Sequence, residues 1–160
     1  MADKTIRNKA EFRYIRERVG ISHALMAKIM GCTTRSVRYW EDPTSLRYPP
    51  QDAWDMLDEA LEYQNTIVDY TLKKFVSIAE AAGAMPDHVE LPYWLSKAQY
   101  DEGSTDAAYG LDGDWNMANA NARVIAIRLE AVGVRVEWVN YSPARPGLQE
   151  DGEGSGRHDG

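Results

Sequence analysis

ISHALMAKIMGCTTRSVRYWEDP, residues Ile21 to Pro43, carries the sequence of two short helices divided by a glycine. Ser22 is a good N-cap for a helix over His23 to Met30, and Gly31 stops it. Thr33 or Thr34 then caps a second short helix running to Glu41, and the Asp42-Pro43 pair closes it. Two helices joined by a three-residue turn must bury a fixed set of positions. Counted from His23 as the first, Met26, Met30, Cys32, Val37 and Trp40 fall at the fourth, eighth, tenth, fifteenth and eighteenth, where such a unit packs on itself and on a preceding helix. Ala27 stands where the helices approach most closely, so that a larger side chain would force them apart. Gly31 occupies the turn position that wants a positive φ. Seven matches to one spatial pattern make the unit fairly specific.

The other face of the second helix carries Thr34, Arg35, Ser36, Arg38 and Tyr39, all hydrogen-bonding types. In helix-turn-helix proteins this face enters the DNA major groove. Arg35 or Arg38 suits bidentate pairing with guanine O6 and N7, while Thr33, Thr34, Ser36 and Tyr39 suit bonds to phosphates or bases. Lys28 and Arg47 are expected as phosphate contacts. The charge distribution agrees. The total is −7, yet residues 1 to 48 hold ten Lys and Arg against five acids, a local +5, leaving −12 on the remainder. A small basic head on an acidic body needs only one face positive toward phosphates.

Working outward, Asn8 to Val19 spaces Phe12, Ile15 and Val19 by three and four, an amphipathic helix ended by Gly20 with Arg13, Arg16 and Arg18 on its other faces. Pro49-Pro50 opens a stretch from Gln51 to Ala82 with no Gly or Pro and apolar residues at helical spacing. Such a helix would be roughly 48 Å long, more than one small core covers. Either it breaks near Gln64-Asn65 or its far half packs on another molecule. His88 to Trp94 reads as a short strand that Pro92 restricts to an edge, Ser96 to Gly113 as a polar loop, Trp115 to Val132 as a helix capped by Asp114, and Val134 to Asn140 as a second strand. A helical connection suits parallel strands, although two strands alone are marginal and want partners, for which a second subunit is one source. The expected architecture is mainly α with a small β component. Residues 1–83 form a helix-turn-helix domain with a long linking helix or helix pair, 84–141 a β-α-β dimerisation unit and 142–160 a disordered tail.

The run from Ile21 to Pro43 resembles the Cro/CI-type helix-turn-helix. Its ending VRYWEDP is similar to a group that includes anti-CRISPR-associated autorepressors and YdiL-like proteins, and DWNMANANARVIAIRLEAVGVRVEWV, residues 114–139, is similar to the last helix and strand of that group. The resemblance implies a homodimer joined through its C-terminal part that binds an inverted-repeat operator in double-stranded DNA and represses transcription, often of its own operon.

Other classes find little support. The apolar runs are too short for a membrane span, and the charged N-terminus lacks a signal peptide's apolar stretch, so the expected location is cytoplasmic. Cys32 has neither a disulfide partner nor metal-ligand spacing and reads as a small buried apolar group. Asp101, Glu102, Asp106, Asp112 and Asp114 lack the spacing of a calcium loop, and His23, His88 and His158 are scattered. No Gly-rich phosphate loop or nucleophile elbow is present. Neither enzyme activity, metal nor cofactor is expected. The alternative is an antitoxin-like or interaction module whose acidic C-terminal part binds a partner protein.

Overall fold

The computed structural model describes residues 7–104 and 113–140, which form six helices and one two-stranded parallel sheet. Asn8 caps α1 (Lys9–Val19) by accepting a hydrogen bond from the Glu11 amide, and Gly20, at φ +77°, ends it. Ser22 caps α2 (His23–Met30) by accepting from the Leu25 amide, and Gly31 turns the chain at φ +66°. Thr33 caps α3 (Thr34–Glu41) by accepting from the Ser36 amide. Phe12 is the centre of this part of the molecule. Its ring meets Trp40 and Trp54 edge-on, at 6.1 and 5.1 Å, the geometry aromatic quadrupoles prefer. Ile15, Val19, Met26, Ala27, Val37 and Leu57 close the core around it, with Met30 and Cys32 partly buried at its margin. Cys32 is therefore half-buried, where full burial was expected.

The long helix α4 (Gln51–Ala82) is continuous for 32 residues, so of the two alternatives the break near Gln64-Asn65 does not occur. Two cores are strung along the helix, the second reaching as far as Phe75. Ala53, Trp54 and Leu57 belong to the first, whereas Val68, Leu72 and Phe75 join Val89, Leu91, Ile125, Leu129 and Val134 in the second. Between the two, Gln64 is 2 % exposed and donates from Nε2 to the Arg18 carbonyl at 2.9 Å and to Asn121 at 3.2 Å. The residue that looked like a weak point thus ties the helix to its neighbours.

Strand β1 (His88–Pro92) leads through α5 (Lys97–Gly103) and α6 (Trp115–Ala131) to β2 (Arg135–Val139), which pairs parallel with β1 in the register His88↔Arg135 to Pro92↔Val139. The polar loop expected from Ser96 thus contains a helix. Ser96 caps it, and Tyr100 anchors it edge-on against Trp94 at 5.6 Å. Asn119 holds the chain just beyond β1: its side-chain amide accepts from the Trp94 amide and donates to the Trp94 carbonyl, both at 2.8 Å. The N-terminal turn of α6 also closes on α1. A Cβ at Gly20 would lie 2.4 Å from the Asn116 carbonyl oxygen, so this crossing requires glycine for space as well as for φ. The expected tail at 142–160 lies outside the described residues.

Candidate nucleic-acid interface

The outer side of α3 is built by what holds its inner side. Val37 and Trp40 are buried, and at helical spacing this leaves Arg35 and Arg38 exposed, with Thr34, Ser36 and Tyr39 half-buried beside them. Thr33 is exposed but already engaged, since its Oγ1 caps the helix and lies 3.0 Å from the Ser36 hydroxyl. Arg35 Nε donates to the Tyr39 hydroxyl at 2.8 Å, and its guanidinium lies 5.4 Å from the Tyr39 ring centroid. Arg47, eight positions further along the chain, lies 5.0 Å from the same centroid. Tyr39 therefore draws Arg35 and Arg47 together, within the range of cation–π attraction. Lys28 and Arg38 are exposed and have no ion-pair partner among the described residues.

The basic residues of α1 are used differently from the expectation. Arg16, expected on an outer face, is 6 % exposed. It bonds both carboxylate oxygens of Glu41 and donates to the Ile21 carbonyl at 2.9 Å, while His23 Nε2 lies 2.7 Å from Glu41 Oε2. Burial alone would push the Glu41 carboxyl up, but the hydrogen bonds from Arg16 and His23 and the charge of Arg16 outweigh it and hold the group below its ordinary range. This triad, with Arg16 buried and His23 half-buried, joins the end of α1, the start of α2 and the end of α3. Arg7 pairs bidentately with Asp58 at 2.7 Å for both bonds and lies over Trp54.

Lys9 is the residue the sequence did not single out. Its ammonium donates to the carbonyls of Tyr39, Asp42 and Ser45 at 3.0, 2.7 and 2.7 Å. A cation at a helix C-terminus satisfies carbonyls the helix leaves open and complements its dipole. Nothing in local spacing betrays a contact made across thirty residues.

Elsewhere, the register of the sheet places His88, Glu90 and Glu137 on its open face, with potential ligand atoms within 4.8 Å of one another. All three are exposed, and Arg135 already bonds Glu137 at 3.0 Å. Of the acidic residues between 101 and 114, Asp101 pairs with Lys97, Glu102 is exposed on α5 and Asp114 caps α6. Asp106 and Asp112 lie outside the described residues. No protein-family model matches the chain and no curated protein matches it, so a function is argued from the residues themselves.

Proposed function

We propose that the chain is a sequence-specific DNA-binding regulator of transcription, using α2 and α3 as a helix-turn-helix with α3 in the major groove. The observation that carries this reading is the outer side of α3, where Arg35 and Arg47 meet at Tyr39 and Arg38 is exposed, while the supporting side is fixed by Trp40, Lys9 and the Arg16–Glu41–His23 triad. Bidentate guanidinium donors on a rigid helix suit the guanine edge, and Lys28 and Arg47 suit the phosphates alongside. The decisive measurement is a gel shift with a duplex from the DNA immediately upstream of the gene. The parent protein should bind it, and Arg35→Ala and Arg38→Ala should keep their fold and lose about 1 to 3 kcal/mol of binding each. Normal binding by both variants would overturn the assignment of α3.

The regulator acts as a homodimer held by residues after Gln51, with two heads on an inverted repeat and repression as its outcome. Supporting this are exposed apolar residues on that part of the molecule, Tyr70, Val76 and Ile78 on α4, Ile127 on α6, and Val132 and Trp138, together with a sheet of two strands, which is small for independent stability. Light scattering should give twice the chain mass, and a monomer at micromolar concentration would sink the proposal. The same apolar residues also fit the second reading, an interaction module that docks a partner protein, which would bind that duplex no better than scrambled DNA.

A further inference from the structure

The sheet buries one face. Val89 and Leu91 enter the second core together with Val136, and the alternate residues His88, Glu90, Arg135 and Glu137 stand exposed on the other side. In the parallel register Glu90 lies opposite Glu137, and His88 precedes Glu90 by two positions on the same face. Carboxylates at paired positions repel across a ladder, and the cations nearby do not settle both. Arg135 bonds Oε1 of Glu137 at 3.0 Å, whereas Glu90 has no ion-pair partner among the described residues. The other Glu137 oxygen, Oε2, lies 3.9 Å from His88 Nε2. An imidazole nitrogen and one oxygen from each carboxylate thus stand within 4.8 Å of one another. Spacing along the chain hides the trio, since Glu137 comes 49 residues after His88.

We propose that His88, Glu90 and Glu137 bind a divalent transition-metal ion, zinc fitting best, with water completing its coordination. The donor set decides the class of ion: imidazole with carboxylates suits zinc and its first-row neighbours, whereas magnesium and calcium take oxygen ligands. Ligand atoms about 2.1 Å from a tetrahedral ion stand roughly 3.4 Å apart, so the separations here close by at most about 1.4 Å. Rotation of exposed side chains supplies that movement while the ladder holds their Cα positions, so the site is carried on rigid elements. Arg135 orients the Glu137 carboxylate through its other oxygen, the kind of outer hydrogen bond that ligating carboxylates have. The ion offsets the repulsion between Glu90 and Glu137 and ties β1 to β2, a pairing that two strands alone hold weakly. The site is independent of the DNA-binding reading of α3.

The test is a calorimetric titration of zinc chloride into the full chain, free of any affinity tag, paired with thermal melting. The parent should take up one ion per chain, and excess zinc should raise its melting temperature. Magnesium should do neither. His88→Ala and Glu90→Gln should each weaken zinc binding at least tenfold, the loss that removing even an outer partner of a metal ligand commonly brings. Glu90→Gln removes one of two opposed charges, so in the presence of a chelator it should melt no lower than the parent, yet it should lose the rise with zinc. His158→Ala, a histidine outside the described residues, should bind zinc as the parent does. A parent that takes up no zinc saturably would overturn the site. So would uptake that survives in both His88→Ala and Glu90→Gln, or that is lost in His158→Ala. Equal uptake of magnesium would show carboxylates merely screened by any cation, and would overturn it as well.

Discussion

Glu41 closes α3 on the inside, and its environment sets how this protein should respond to acid. Its carboxyl is held below the ordinary range, so the folded state binds its proton less readily than the unfolded chain does. The stabilisation is therefore complete above the ordinary carboxylate range and is lost as pH falls through that range and below it. Glu41→Gln, which keeps the shape and removes the charge, should melt lower than the parent at neutral pH, with the gap closing as pH falls through and below the ordinary carboxylate range; a gap independent of pH would show that the charge contributes nothing. Trp40 carries a larger share. Emptying its place beside Phe12 should cost about 3 to 5 kcal/mol, enough to unfold this part of the protein in a denaturant titration. Trp40 was legible from its position in the repeat of buried sites. Arg16 and Lys9 were not, because a basic residue in α1 looks alike whether it meets water or a buried carboxylate, and the partner that decides lies 25 or more residues away.

At the scale of elements, the caps were written plainly and the packing was not. Ser22, Gly31 and Asp114 stand where the sequence placed them because capping and the left-handed turn are local, decided within four residues. The α5 helix escaped because a seven-residue segment held by one buried tyrosine has no periodicity to find. The unbroken α4 escaped for the opposite reason: its pattern was visible, but the second core that covers its far half is assembled from strands and a helix far along the chain. The two left-handed glycines at the ends of α1 and α2 give a paired test. An added Cβ at Gly31 meets nothing within 4 Å, so Gly31→Asn should be mild, asparagine tolerating this conformation. At Gly20 the same change drives the side chain into Asn116 and Ala120, and the midpoint of unfolding should drop much further. Equal losses would mean that α1 and α6 do not approach as closely as described.

The whole molecule separates its charge, and that separation bears on the proposed function through salt. The basic residues near the N-terminus are not all available to a partner: Arg7, Lys9 and Arg16 are committed to internal bonds, and Arg13 pairs with Glu17. Lys28 and Arg47 are the residues assigned to phosphate, so a dimer contributes on the order of four phosphate contacts and a log-log salt slope of roughly −4 on the upstream duplex. The −12 carried beyond residue 48 does not cancel this, because at physiological ionic strength charges more than about 8 Å away are largely screened. At low salt, where screening weakens, the same acidic body should repel DNA that α3 does not hold. Binding to scrambled duplex should then stay weak as salt is lowered, while binding to the upstream duplex rises steeply. The two slopes measured together separate the head from the body. A flat response on the upstream duplex would mean that the outer face of α3 does not meet phosphate, and the partner-protein reading would take its place.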